Sequence, residues 1–357
     1  MTADATNSIT LALEAVECSN RCRHCETSYG PRRRHLSRDE VRSWADRVHL
    51  EAERLGITVE LGLNNSELLD HPQWREILAD LGSERLWPAF ATNGRQIARN
   101  AELVDELRAR GVKWLQLTLG GASTETHDAF TRRRGSFEDI LGAAEVAQAA
   151  EMHVAWVYTA YRPLSEIIRM SELAKSISGA CQREQYEAKG GVDQCIFLVK
   201  PQGAGVKMEH LRPRQTDLND LPKTLRGRFS RSYSAGCETE GELVTALCDD
   251  GRRVGCLEKE LQGGMSHCVV CRNGDVYPYC HERHPAHLLG NLELDGLETI
   301  VERLHGAQPP AALAIRRRGL AELAAVYGDG ASDKLHSGCS LCRTLVRRAL
   351  VAEGYVT

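Results

Sequence analysis

Cys18, Cys22 and Cys25 lie within eight residues, spaced C-x3-C-x2-C. Thiols at this density usually hold a metal or a cluster rather than fill a core. Three protein ligands is the informative number. A structural site closes its coordination sphere with four ligands, whereas a catalytic site leaves one position open. Two chemistries follow. A [4Fe–4S] cluster held by three cysteines has one iron free to bind a small molecule. Zinc is the alternative, with His24 as a fourth ligand.

A second group of cysteines crowds the C-terminal third: Cys237, Cys248, Cys256, Cys268, Cys271 and Cys280, then Cys339-Ser-Leu-Cys342. The run Ser266 to Tyr279 alternates around Asn273-Gly274, a strong hairpin signal. Cys181 and Cys195 stand alone and read as small buried hydrophobes. Three arginine triplets, at 32–34, 132–134 and 316–318, could grip a carboxylate or phosphate. Such runs are more often solvated faces.

The elements that position these groups alternate strand and helix. Ile9 to Val16 reads as a first strand, ending at the cysteine loop. Ser37, with Glu40 three residues on, opens a helix with a capping box, and Gly56 stops it. Ile57 to Leu63 is a second strand, Pro72 opens a second helix, and Leu86 to Thr92 is a third strand. Helix 101–110, strand 112–119, helix 136–150, strand 153–159, helix 164–177 and strand 195–200 follow. Strands alternating with amphipathic helices indicate a parallel sheet with right-handed crossovers. The cysteine loop then sits after a strand, where barrel-like folds place chemistry. Residues 201–247 read as a connector with one helix near 216–226.

Composition bounds the function. The chain has 357 residues, enough for one large domain or a domain with an appendage. A net charge of −4 gives no general case for a nucleic-acid partner. No apolar run approaches a membrane span, and the N-terminus lacks a signal core, so a cytoplasmic protein is expected. Thirteen cysteines in a reducing compartment favour metal or cluster ligation over disulfides.

The cysteine triplet resembles the signature of the radical S-adenosylmethionine (SAM) enzymes. In that family the open iron chelates the amino and carboxylate groups of SAM, and an electron cleaves SAM to a 5′-deoxyadenosyl radical. The residue before the third cysteine is often aromatic there; here it is His24, whose imidazole can pack on an adenine. The segment Asn64-Asn-Ser-Glu-Leu-Leu-Asp-His-Pro72 resembles the G-G-E-P motif that holds the SAM amino group, with Asn65 and Ser66 replacing both glycines and Glu67 as the acid. Ala91-Thr92-Asn93-Gly94 resembles T-N-G. Thr118 to Asp128 resembles S-x-D-G followed by H-D, with Gly120 where Asp is usual. In relatives an Arg soon after H-D binds the SAM carboxylate, and Arg132, Arg133 and Arg134 compete for that role. The resemblance implies an α/β fold: a partial (β/α)6 TIM-like barrel over residues 1–200, the connector, and a C-terminal twitch-type β-hairpin and helix extension over 248–357.

The segment Asn273 to Cys280, then Leu289-Gly-Asn291 and C-x2-C, resembles the SPASM/twitch extension, which holds an auxiliary [4Fe–4S] cluster. The implied ligands are Cys280, Cys339, Cys342 and either Cys256 or Cys268. No C-x5-C-x3-C run is present, so a full SPASM domain with two auxiliary clusters is not expected. A zinc ribbon at the same positions stays open. The auxiliary cluster would accept a second electron, giving net oxidation such as alcohol to ketone. A thiol that is not a ligand, Cys268 or Cys271, could return a hydrogen atom instead, giving epimerisation. Only seventeen residues precede Cys18, so no fused leader-peptide-binding domain is expected. The implied substrate is a sugar or aminocyclitol of an antibiotic pathway, with a flavodoxin- or ferredoxin-type electron donor. Maturation of a ribosomal peptide is the enzymatic alternative, and a zinc- or cluster-bearing binding module the non-enzymatic one.

Overall fold

A computed structural model describes residues 8–14, 18–25, 35–62, 67–82, 89–178, 194–198, 203–211, 266–278, 283–306, 308–329 and 338–356, with short pieces at 213–214, 217, 221–222, 225, 238–239 and 335–336. The chain forms two compact units that interleave along the sequence: residues 1–13, 39–62 and 230–357 make one, residues 14–38 and 63–229 the other.

The first unit is built on a five-stranded sheet. Strand β1 (Ser8–Leu13) lies between β2 (Thr58–Gly62) and β8 (Ser266–Val270), parallel to both. Leu11 faces Leu61 on one side and Cys268 on the other. Strand β8 turns back into β9 (Asp275–Pro278) through Asn273-Gly274, with Gly274 at φ +83°, where a side chain is strained. The hairpin expected from that dipeptide is present. Strand β10 (Gly290–Asn291) completes the sheet.

Helix α1 (Arg38–Leu55) buries Val41, Trp44, Val48 and Ala52 at the expected three- and four-residue spacing. Its Trp44 indole donates to Glu293 Oε1 at 2.9 Å. Glu51 accepts the N–H of Leu297 in the first turn of α8 (Gly296–His305). Helices α9 (Ala311–Arg317), α10 (Leu320–Tyr327) and α11 (Gly338–Ala352) close over Ile315, Leu323, Leu341 and Leu345. The short strands β7 (Glu238–Thr239) and β11 (Leu335–His336) pair with each other.

The second unit holds a four-stranded, all-parallel sheet in the order β3 (Ala89–Thr92), β4 (Trp114–Leu119), β5 (His153–Ala160), β6 (Gln194–Leu198). Leu115, Leu117 and Leu119 are buried, and the alternate residues Trp114, Gln116 and Thr118 are half-buried. Helices α2 (Trp74–Leu81), α3 (Arg95–Arg99), α4 (Glu102–Ala109), α5 (Thr124–Thr131), α6 (Ser136–Ala149) and α7 (Ser165–Ser178) connect the strands.

All six expected strands are present, β1 and β2 parallel in one sheet and β3 to β6 parallel in the other, and no closed barrel forms among the described residues. The fold is that of a partial (β/α) barrel with a C-terminal hairpin-and-helix extension. Several boundaries differ from expectation. Pro72 does not open the second helix: a 3-10 turn, Leu68–Asp70, comes first, and α2 begins at Trp74. His71 sets this start, because its Nδ1 accepts the Gln73 N–H and its Nε2 lies 2.6 Å from the Leu36 carbonyl. Helices α3 and α5 were not expected. Residues Gly203–Leu211 of the connector form a 3-10 helix, and most of the helix expected at 216–226 lies outside the described residues.

Candidate active site

Cys18, Cys22 and Cys25 are half-buried thiols, none in a disulfide. Their loop is tied down by backbone bonds to the end of α5: Arg21 N–H donates to the Thr131 carbonyl and Arg23 N–H to the Phe130 carbonyl, each at 2.9 Å. The Ala204 N–H donates to the Cys25 carbonyl at 3.0 Å. The Ser19 N–H donates to Asp70 Oδ2 at 2.8 Å, and Arg133 Nη1 to Asn20 Oδ1 at 3.2 Å. Sequence reading missed Asp70, although it lies inside the quoted 64–72 segment.

Two side chains from strand ends meet the first cysteine. Asn93, just after β3, donates from Nδ2 to Cys18 Sγ at 3.7 Å and to Ser19 Oγ at 3.2 Å. Glu67 is buried next to it, accepting the Thr92 hydroxyl at 2.9 Å and the Asn93 N–H. Thr92, Asn93 and Glu67, read separately in the sequence, are therefore one hydrogen-bonded group beside Cys18. Asn65 and Ser66 lie outside the described residues.

Burial dominates the electrostatics. It pushes the Cys18 thiol well above its ordinary range, with Glu67 and Cys22 adding to the effect. It pushes Cys22 up to about 12, with Cys25 adding and the Arg132 guanidinium opposing. Burial likewise raises the Glu67 carboxyl to about 8, against the Asn93 N–H and Thr92 hydroxyl. At neutral pH these groups hold their protons until a cation arrives. A bound metal deprotonates a coordinating thiol outright. Two thiols and a carboxyl that hold their protons without a cation fit a cluster with a ligand carrying an ammonium group. Among the described residues no three His, Cys, Asp or Glu side chains converge on the single point that one metal ion would occupy.

His24 stacks on Phe130, ring centroids 4.7 Å apart and planes 17° from parallel. Phe130 stacks in turn on Tyr161 at 5.5 Å. The Tyr161 hydroxyl donates to the Gly120 carbonyl at 2.7 Å. This column accounts for glycine where the motif has Asp: a Cβ at Gly120 would lie 1.9 Å from the Phe130 ring. Thr118, the penultimate residue of β4, lies two residues earlier. The loop is held by His127 Nδ1, which accepts the Gly120 N–H at 3.2 Å, and by buried Glu166, which accepts the Ala122 N–H at 2.6 Å and the Thr126 hydroxyl at 2.7 Å. No sequence signal marked Glu166, Phe130 or Tyr161, since their roles exist only once α5 and α7 meet the loop.

The three arginines differ. Arg133 is committed to Asp139 at 2.5 Å and to Asn20. Arg134 is exposed. Arg132 is exposed, takes the left-handed conformation at φ 55° as the C-cap of α5, and acts electrostatically on Cys22.

In the other unit, Cys268 is fully buried on the face of the sheet that carries Leu11 and Leu61. Cys271 is buried at the start of the hairpin turn, where its carbonyl accepts the Gly274 N–H at 2.8 Å. Cys339 and Cys342 both belong to α11, one turn apart, and Cys342 is buried among the side chains of α9 to α11. Cys256 and Cys280 lie outside the described residues.

Residues 15–165 match the model of the radical SAM superfamily. The AdoMet-dependent heme synthase of Methanosarcina barkeri is 28% identical over 280 residues, 73% of each chain. The GTP 3′,8-cyclase of Ectopseudomonas mendocina is 34% identical over 140 residues, 37% of this chain and 39% of the relative. Among solved structures, Streptococcus suis SuiB bound to S-adenosylmethionine superposes with a TM-score of 0.57 at 13% identity, over 86% of this chain and 67% of that one. At that identity the likeness is one of fold.

Proposed function

We propose that the chain is a radical SAM enzyme that abstracts hydrogen from a sugar or aminocyclitol carbon, ending in oxidation to a ketone or in epimerisation. The family's cofactors are a [4Fe–4S] cluster and SAM, and its chemistry needs an external reductant; a flavodoxin or ferredoxin is the proposed donor. One observation supports the radical SAM part of this reading. The cysteine loop, Glu67 with Asn93, and Arg132 come together in one compact unit, each from a different strand end or helix end.

In this reading Cys18, Cys22 and Cys25 hold the cluster, which when bound supplies the electron that cleaves SAM. Asn93 steadies the Cys18 sulfur by donating to it. Glu67 takes the SAM ammonium, which draws the proton from its raised carboxyl. Arg132, rather than Arg133 or Arg134, takes the SAM carboxylate, because Arg133 already holds the loop through Asn20 and Asp139. His24, fixed in tilt by the Phe130–Tyr161 column, packs on the adenine beside Thr118. Asn65 and Ser66 belong to the same loop as Glu67. Cys280, Cys339, Cys342 and either Cys256 or Cys268 hold the auxiliary cluster, which accepts the second electron in an oxidation. Whichever of Cys268 and Cys271 stays a thiol is the hydrogen donor if the outcome is epimerisation.

A second reading is favoured by the heme synthase match, which spans most of both chains. There the substrate is a tetrapyrrole on the way to heme rather than a polyol.

The test is 5′-deoxyadenosine release by anaerobically reconstituted, reduced enzyme with a panel of aminocyclitols, glycosides and carboxylated porphyrins. Release stimulated by one polyol, with a product two mass units lighter or isomeric, is expected. Stimulation by a porphyrin moves the assignment to the second reading. Slow release indifferent to both panels moves it to peptide maturation.

A further inference from the structure

The five-stranded sheet has two unlike faces. Cross-strand partners in register point to the same side. One face carries Leu11, Leu61, Cys268 and Val270, all buried. On the other, Thr10 of β1 is flanked by Glu60 of β2 and His267 of β8. The next row toward the strands' carboxyl ends is Ala12, Gly62 and Val269. A row of carboxylate, hydroxyl and imidazole, in which Glu60 and His267 are half-buried, is thus followed by a row of buried apolar residues. Neighbouring strands are about 4.8 Å apart, so the row spans about 10 Å, the width of a substituted six-membered ring.

Glu60 sets this row apart. Its Oε2 is buried and has no hydrogen-bond partner among the described residues. Burial also pushes its carboxyl above the usual range. A carboxylate oxygen out of water with no donor costs stability. Perturbed carboxyls cluster at functional sites, where a ligand can complete them.

We propose that Thr10, Glu60 and His267 form a subsite for an amino alcohol, with Glu60 taking the ammonium group and Thr10 and His267 the neighbouring hydroxyls. The proposal rests on the radical SAM reading with a small polyol-like substrate. It names the substrate's charge: an amine rather than a carboxylate or a plain polyol.

The experiment is calorimetric titration of the full-length, cluster-loaded protein with scyllo-inosamine and with scyllo-inositol, and separately with SAM. The wild type is expected to bind inosamine at least tenfold more tightly than inositol. Glu60→Gln, which keeps the shape and removes the charge, is expected to bring the two affinities together and to melt at the same temperature or higher. Equal affinities or binding of neither in the wild type, or a preference that survives Glu60→Gln, would overturn the subsite while SAM binding leaves the parent reading standing. A Glu60→Gln protein that melts several degrees lower would assign the carboxylate a structural role and overturn it as well. Loss of SAM binding in the wild type would remove the parent reading and the subsite with it.

Discussion

His127, on α5, reaches the turn after β4 with a buried imidazole, and burial pulls its pKa down to about 4 from the ordinary 6.5. Its Nδ1 must stay unprotonated to accept the Gly120 N–H. Above pH 6.5 both folded and unfolded chains carry neutral imidazole, and the group has no effect on stability. As pH falls from 6.5 toward 4, the unfolded chain takes up the proton and the folded chain refuses it, so stability falls. The contribution lost between pH 7 and pH 5 is about 2 kcal/mol, at about 1.4 kcal/mol per pH unit. Chemical denaturation at the two pH values should show that difference shrinking in His127→Gln. A slope identical in wild type and variant would contradict it. The cysteine triplet, Thr92, Asn93 and Glu67 were legible at this scale because each lies in a short motif. The supports of those residues were not. Phe130, Tyr161, Glu166 and Asp70 meet partners far away in sequence, such as Tyr161 for Phe130, Ala122 for Glu166 and Ser19 for Asp70, and nothing local distinguishes them from ordinary core or surface. Gly120 looked like a departure from the family motif; the Phe130 ring occupying its side-chain space is the reason.

The element that aims the cysteine loop is the corner between α5 and α6. Asp128 holds that corner by accepting the Gly135 N–H at 2.6 Å, the Phe137 N–H at 2.9 Å and the Ser136 hydroxyl at 2.9 Å. It thereby satisfies donors at the start of α6 that no helical carbonyl can reach. Asp128→Ala should cost about 1–2 kcal/mol in urea denaturation, and Asp128→Asn less. Because the last carbonyls of α5 accept from Arg21 and Arg23, the same variant should weaken SAM binding without touching SAM. An unchanged SAM affinity would detach the corner from the site. Strands and long helices were legible from periodicity and from the Asn273-Gly274 turn. Helix α3 was not, since five residues show little more than one period. Helix α5 was hidden because its residues read as a motif; its Ser123 capping box, with Thr126 rather than Glu at the third position, lacks the usual signature.

For the whole molecule, the C-terminal hairpin is no free appendage, since β8 pairs with β1 and makes the N-terminal strand central to its sheet. Parallel pairing across more than 250 residues leaves no local trace, so a linear division at 200 and 247 was all the sequence could offer. A chain cut after residue 247 loses β8 and β9 and exposes one edge of β1 together with Ile9, Leu11 and Leu13. Size-exclusion chromatography should find it aggregated, and a monodisperse fragment that binds SAM would contradict the assignment. No helix among the described residues is long and apolar enough to cross a membrane.

In the proposed function Cys18, Cys22 and Cys25 hold a [4Fe–4S] cluster whose open iron binds SAM. Electron paramagnetic resonance of the reduced, reconstituted protein tests it directly, with and without SAM, in the wild type and in a protein with all three cysteines changed to alanine. The expected result is a reduced-cluster signal that shifts when SAM is added, and a variant in which the SAM-sensitive signal is gone while an auxiliary-cluster signal persists. A wild-type protein that takes up zinc instead of iron, or a SAM-sensitive signal that survives loss of the three cysteines, would contradict it.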